Sequence, residues 1–369
     1  MAKSVKKSSN SGMHLSYEII FMILVRLPTK CLLQMKLICS QWCSIISDPR
    51  FIKAHLDAAN DKHNNHLRRY LSYPHSMSSM GLENANWRYE HSIPVTKFSD
   101  SAEFLGSCNG LILLGDDDRT YYLWNPSTRL LRKFDGPSLF IGEFRNFGLG
   151  YDSTTSAYKV VRIVRVTSHK VGLRPPSSKK YCYDATSVNV YNCKTNCWKK
   201  IEDFPFVIFE NSGGVVINGV PHWVVFRDHH GEDDVIDLVI VYFDCAKEKF
   251  KEIPSPNWLV RSSIFEFGVL DGRLCFIHHT KRPNEVWAMK KYGQDSSIDT
   301  ERQNEVWVMQ TYGKDSWIDI SSEVDIESIC ITGWKSGNKV IHGRGSLVFS
   351  GVSYVESLVS PHGGSDMIG

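Results

Sequence analysis

The sequence predicts an α+β multidomain chain: a small three-helix unit over residues 13–56, then an all-β, propeller-like domain over residues 100–360. Three observations carry that expectation. Apolar residues between Ile19 and Ile46 recur at helical spacing. From about residue 100 the pattern changes to short apolar runs separated by turn signals. Within those runs, one aromatic–Asn/Asp hairpin unit recurs four times. Residues 1–12 read as a disordered Lys/Ser/Asn/Gly tail, 57–99 as a linker with the first strands, and 361–369 as a second tail.

The helices follow from local signals. Ile19, Ile20, Ile23, Leu24 and Leu27 have the spacing of a first helix. Ser16 can cap it, and Glu18 sits in its first turn, near the positive end of the dipole. Pro28 stops it, lacking an amide proton. Thr29 then caps a second short helix with Leu32, Leu33 and Met35. A third carries Cys39, Trp42, Ile45 and Ile46 and closes at Asp48-Pro49. Three helices in about 40 residues are near the lower size limit for an independent domain, so this unit is expected to dock on something else.

In order along the segment stand Leu15, Ile23-Leu24-Val25-Arg26-Leu27-Pro28, Lys30-Cys31-Leu32-Leu33, Cys39-Ser40-Gln41-Trp42 and Ser47-Asp48-Pro49-Arg50-Phe51-Ile52. This pattern resembles an F-box. The resemblance implies a Skp-type adaptor as partner and, through it, a cullin ubiquitin ligase. It implies that Leu15, Ile19, Ile20, Ile23, Leu27, Pro28, Leu32, Leu33 and Trp42 build the docking helices, some packing internally and others touching the adaptor. Ser16, Met22 and Gln34 depart from the family pattern; they leave the apolar ridge intact and could together weaken the adaptor contact. The alternative is a helical hairpin of no assigned role.

The repeated β unit has fixed offsets. Trp124-Asn125 is followed by Thr128, Leu131 and Phe134; Tyr151-Asp152 by Thr155, Tyr158 and Val161. Tyr191-Asn192 leads to Thr195, Trp198 and Ile201, and Phe243-Asp244 to Lys247, Phe250 and Ile253. An aromatic ends a strand, Asn or Asp starts the turn by bonding its own backbone, and a second strand begins with another large side chain. Asn109-Gly110, Asn218-Gly219 and Asp271-Gly272 are type I′ hairpin signals between apolar runs. Joined hairpins make four-stranded blades, and the spacing predicts a kelch-like β-propeller of about six. A β-sandwich is the structural alternative.

Further segments are Gly106-Ser107-Cys108-Asn109-Gly110-Leu111-Ile112, Trp124-Asn125-Pro126-Ser127-Thr128-Arg129 and Phe147-Gly148-Leu149-Gly150-Tyr151-Asp152. Others are Tyr158-Lys159-Val160-Val161, Gly219-Val220-Pro221-His222-Trp223, Tyr242-Phe243-Asp244 and Val306-Trp307-Val308-Met309. This region resembles the F-box-associated domain of plant F-box proteins, an architecture shared by S-locus F-box-like members. The resemblance implies that the β-domain receives an unknown protein substrate, with S-ribonucleases and immune receptors within the implied range.

Two anomalies stand out. The stretch from Asn284 to Asp299 recurs twenty residues later from Asn304 to Asp319, with Trp317 where the first copy has Ser297. Trp317 argues that the second copy holds the blade position, whereas the distance from Gly272 to Trp287 argues for the first. Near the C-terminus, Gly345–Phe349 runs almost directly into Tyr354–Leu358, so ring closure is expected to be imperfect.

A formal net charge of +3 is too small to argue for nucleic acid or a membrane surface. No apolar run approaches about 18 residues, and no signal peptide is read. Ten scattered cysteines, without CxxC or zinc-finger spacing, are expected to be reduced thiols in cytoplasm or nucleus. No catalytic constellation, cofactor loop or metal set emerges. Cys108 beside its turn reads as an apolar cysteine rather than a nucleophile, and His229-His230 among acidic neighbours as a solvated loop tip rather than a metal site. The long polar interruptions supply speculative substrate contacts: Lys170, Arg174, Lys179 and Lys180 in a basic segment, Asp228, His229 and His230 in an acidic one. The expected function is a non-catalytic substrate receptor of a Skp-cullin-F-box ligase. Its rivals are an adaptor-binding protein without degradative role and a propeller glycosidase, for which no carboxylate pair is visible.

Overall fold

The computed structural model describes residues 16–60, 68–72, 77–83, 86–93, 103–116, 119–137, 144–166, 185–201, 204–208, 214–227, 238–259, 264–270, 272–279, 304–322, 331–335, 338–343 and 347–362. The N-terminal helices are α1 (Tyr17–Leu24), α2 (Thr29–Met35), α3 (Ser40–Ser47) and α4 (Pro49–Asn60). The fourth was not expected. Asp48-Pro49 ends α3 but also starts α4: the Asp48 carboxylate accepts the Arg50 N–H at 2.8 Å, and proline suits a first helical position because its missing N–H would be unpaired there anyway.

The strands follow in meanders. After β1 (Arg68–Ser72), β2 (Met77–Glu83) and β3 (Asn86–Ile93), the first four-stranded sheet holds β4 (Glu103–Cys108), β5 (Leu111–Gly115), β6 (Thr120–Trp124) and β7 (Leu131–Asp135). The second holds β8 (Phe144–Asp152), β9 (Ala157–Val166), β10 (Ala185–Asn192) and β11 (Cys197–Ile201). In the third, β12 (Phe206–Ile208) and β13 (Val215–Ile217) both pair with β14 (Val220–Arg227), which continues to β15 (Leu238–Asp244) and β16 (Lys249–Ile253). A fourth meander is β17 (Ile264–Leu270), β18 (Arg273–His279), β19 (Asn304–Met309) and β20 (Trp317–Asp319). It joins β21 (Ile331–Lys335), β22 (Asn338–Gly343) and β23 (Leu347–Val355) through the β17–β21 ladder.

Each sheet packs face to face on the next. Leu113, Leu123 and Phe134 meet Phe147, Leu149 and Tyr191. Val161 and Val190 of the second sheet meet Trp223, Val225 and Phe243 of the third. Ile240 and Ile253 then meet Phe267 and Phe276 of the fourth. All five residues of β5 are buried, with Leu113 on one side and Ile112 and Leu114 on the other. A two-layer sandwich would leave one face of each strand to solvent; burial on both faces is the signature of radially stacked blades.

The C-terminal shortening is absorbed by β23. Leu347 to Ser350 pair with β22, and Gly351 to Val355 pair with β1. One nine-residue strand thus serves two ladders and ties the last strands to the first. It also lies beside β4.

The four recurring turns share one hydrogen-bond pattern. The Oδ1 atoms of Asn125, Asp152, Asn192 and Asp244 each accept the N–H groups two and three residues on. The residue four beyond each is left-handed: Arg129 at φ 61°, Ser156 at 54°, Asn196 at 56° and Glu248 at 52°. Asn109-Gly110 and Asn218-Gly219 have positive φ at both positions, as type I′ turns require. At Asp152 burial works against the carboxylate, but hydrogen bonds from Thr154, Thr155 and Lys159 outweigh it and hold the pKa well below the usual range. Lys159 also reaches Glu248 at 2.9 Å and the Cys245 carbonyl at 2.7 Å, clasping the second blade to the third.

The second duplicated copy supplies β19 and β20, and Trp317 Nε1 donates to the Pro254 carbonyl at 2.9 Å. The first copy lies outside the described residues.

Candidate functional site

The sequence-predicted site residues fall in two regions, the helical unit and the segments after β9 and β14. Leu24, Leu32, Ile45, Ile46 and Phe51 form the core of the helical unit together with Leu358 from the C-terminal segment. Ile20, Leu27, Leu33 and Trp42 are partly buried against that core. Leu32 is fully buried, so it is a packing residue and not a contact for a partner. Its helical spacing matched that of the surface ridge, and spacing alone does not separate the two roles. Leu15 lies outside the described residues, and Pro28 is half-buried at the start of α2.

What α1 and the end of α2 leave exposed is apolar. Ile19, Met22 and Ile23 lie one helical turn apart on α1, while Tyr17, also exposed, lies beside Phe21 on the other side of the helix. Beyond α2, Leu37 is 87% exposed and Ile38 66%. Outside this unit, the large exposed apolar side chains among the described residues are Leu130 and Tyr312. Such a concentration marks an interaction surface. Leu37 and Ile38 were not singled out from sequence, and Met22 only as a departure from the family pattern; two consecutive apolar residues in the turn after Met35 were the available signal for the first pair. Ser16, a departure from the family pattern, caps α1 through Ile19 N–H at 3.4 Å.

The helical unit is not a tethered appendage. The N–H of Thr29 donates to Glu356 at 3.2 Å. Ile52 and Leu56 of α4 pack on the core between the first two blades. His55 is buried, its Nε2 lies 3.0 Å from the Leu27 carbonyl, and desolvation lowers its pKa.

The second region is the other end of the propeller. β9 starts beside α4, where Ser156 and Tyr158 face a shared cavity, and runs to Val166. Ten extended residues put that end roughly 30 Å away. β14 likewise starts at the Asn218-Gly219 turn beside the same cavity and ends at Arg227. The segments after β9 and β14 therefore leave from the end remote from the helices. Lys170, Arg174, Lys179, Lys180, Asp228, His229 and His230 fall in those segments, outside the described residues.

The F-box domain family matches residues 13–54, and the F-box associated beta propeller domain family matches residues 90–357. The chain belongs to the F-box proteins with an associated β-propeller. F-box protein CPR1 of Arabidopsis thaliana is 28% identical over 74% of this chain and 69% of its own length. F-box/kelch-repeat protein At3g23880 of the same plant is 27% identical over 76% and 77%. Among solved structures, that of YjhT aligns at a TM-score of 0.34 and 10% identity over 78% of this chain and 91% of its own, a likeness on which nothing below rests.

For this F-box protein, no group of three or more metal-ligating side chains occurs among the described residues. Burial pushes the Cys108 thiol well above its ordinary pKa, which fits a packing residue and not a nucleophile. No helix among the described residues is long and apolar enough to cross a membrane.

Proposed function

We propose that this F-box protein is the substrate-recognition subunit of a Skp-cullin-F-box ubiquitin ligase. A Skp-type adaptor docks on Ile19, Met22, Ile23, Leu37 and Ile38, while Leu24, Leu32, Ile45, Ile46 and Phe51 hold those residues in place from within. The concentration of exposed apolar side chains on α1 and after α2 carries this reading. The protein substrate engages the propeller end from which the segments after β9 and β14 depart. The chain transfers no ubiquitin; it raises the effective concentration of substrate lysines near the charged conjugating enzyme.

Co-purification with a Skp-type adaptor tests the docking. Deleting residues 13 to 56 is the wrong comparison, because it strips the partners of Leu358. Ile23→Asp and Leu37→Asp change exposed positions only. Each is expected to weaken adaptor binding by at least about 2 kcal/mol, as central interface residues do, with the thermal transition unchanged. Adaptor binding by the folded double variant at the parental level would overturn the reading. Captured proteins whose abundance rises on proteasome inhibition support the degradative role; partners that ignore it would refute that role and leave an adaptor-binding protein.

A further inference from the structure

Between α4 and the propeller lies a cavity of about 1090 Å³, at the upper end of the range for small-molecule sites. All four described blades contribute to it, through Asn109, Tyr158, Asn218 and Gly272. Lys53, Leu56 and Asn60 of α4 close it from the other side. Val216, Val269 and Val359 give it apolar walls.

We propose that this cavity binds a small, uncharged organic molecule carrying hydroxyl or amide groups. Charge is the first argument. Among the described residues, no Lys, Arg, His, Asp or Glu lines the propeller side. On α4, Lys53 is paired with Asp57 at 3.1 Å, and Arg50 with Asp48 at 2.8 Å. On the propeller side an ionic ligand would leave water without a counter-charge to meet it. Hydroxyls and amides are abundant: Asn109, Ser153, Ser156 and Asn218 offer donors and acceptors beside apolar wall.

Shape is the second argument. Ile52 and Leu56 anchor α4 over the mouth, which shuts out a folded domain. An extended peptide gains most of its affinity by pairing with a free strand edge. Here the hairpin turns at Asn109-Gly110 and Asn218-Gly219 face the cavity, and the one-sided strands β8 and β13 are already bridged to each other, Tyr151 N–H to the Gly219 carbonyl at 2.8 Å and Gly214 N–H to the Phe147 carbonyl at 2.7 Å. A compact molecule fits the site better than a chain. The inference does not depend on the adaptor reading, since the cavity belongs to the free protein.

Fluorine NMR of the full chain tests it, with 4-fluorobenzyl alcohol, 4-fluorobenzamide and a 4-fluorophenyl β-glucoside as neutral probes and 4-fluorobenzoate as the charged control. At least one neutral probe is expected to show saturable line broadening that the benzoate does not share. Ser153→Trp and Asn60→Trp, at exposed positions on opposite walls, should each weaken it by at least about tenfold. Equal binding by folded Trp variants, preference for the benzoate, or no saturable probe at all overturns the proposal. So does a peptide that binds the cavity where all three neutral probes fail. Adaptor co-purification, run in parallel, reports separately on the docking face.

Discussion

The carboxylate of Glu356 accepts the backbone N–H of Thr29 at 3.2 Å, across 327 positions of sequence. Thr29 opens α2, and the residue before it, Pro28, has no side chain able to cap a helix. The cap therefore comes from the other end of the chain. Next to it, the Ser357 hydroxyl donates to the Asn109 carbonyl at 3.1 Å, and the Ser357 and Val359 carbonyls accept from Asn125 Nδ2 at 3.0 and 2.8 Å. Residues 356–359 thus form a strap with one side in the F-box and the other in the propeller.

Cutting either hold should loosen the F-box. Leu358→Ala leaves a hole in the helical core and is expected to cost about 2–4 kcal/mol; Glu356→Ala, which removes a cap, about 1 kcal/mol. Denaturant unfolding followed in parallel by adaptor binding checks both. A Leu358→Ala midpoint matching the parent would show that the strap bears no weight.

Equivalent turns should differ in cost. Asn192 and Asn125 make the same two turn bonds, but only Asn125 is known to hold the strap carbonyls as well, and it is fully buried. Asn192→Ala is expected to cost about 1 kcal/mol and Asn125→Ala about 3 kcal/mol or more. Asn125→Asp keeps the turn acceptor yet sets a carboxylate against two carbonyls, so it should be no milder than alanine. Equal losses at the two turns in thermal unfolding would contradict this.

Acid should destabilise the propeller through His222. Its Nδ1 lies 2.9 Å from the Val220 carbonyl, which can only accept, so the proton sits on Nδ1 and Nε2 accepts from the Tyr312 hydroxyl at 2.7 Å. Burial lowers the His222 pKa from 6.5 to about 4. The unfolded chain therefore binds a proton first as pH falls. Stability is complete above pH 6.5 and drops between 6.5 and about 4, by about 3 kcal/mol. His222→Gln should flatten that part of the stability–pH curve. An unchanged slope in the variant would place the acid sensitivity elsewhere.

The duplicated segment offers a substitution experiment. In the second copy Val306, Val308 and Met309 are buried, Glu305 bonds His278 and Trp307, and Tyr312 meets His222. The first copy repeats these as Val286, Ala288, Met289, Glu285, Trp287 and Tyr292. Excising 284–303 should leave stability near the parental value. Excising 304–323 should still give a folded propeller, weaker by about 2–3 kcal/mol, since Ala288 and Ser297 replace Val308 and Trp317. Circular dichroism and unfolding of the two deletions decide it; a second deletion that cannot fold would show that the copies are not interchangeable.

What the sequence revealed was local. The spacing of Ile19, Ile20, Ile23 and Leu24 and the capping of Ser16 foretold α1, although it ends at Leu24 and leaves out Leu27, which was read as part of it; the aromatic–Asn/Asp offsets foretold four turns with one bonding pattern. What it hid depended on distant partners or on a signal with two meanings. Asp48-Pro49 can end one helix and begin another. Leu32 shares its spacing with surface residues, and only the arrival of Leu358 makes it core. Glu356 to Val359 read as the shortened end of the last strands until Asn109, Asn125 and Thr29 stand around them. The proposed substrate segments carry long polar runs without periodicity, which leave nothing for a pattern to fix.

The shared strand β23 and the strap that follows it also set an order of assembly. Translation delivers the F-box first, yet its core stays short of Leu358, and β1 has β2 but not β23 beside it, until residues 351–358 have been made. A prematurely terminated or stalled product therefore carries the docking helices without the support that shapes them. Closure of the helical core is reserved for chains synthesised through Leu358, a form of proofreading written into the topology.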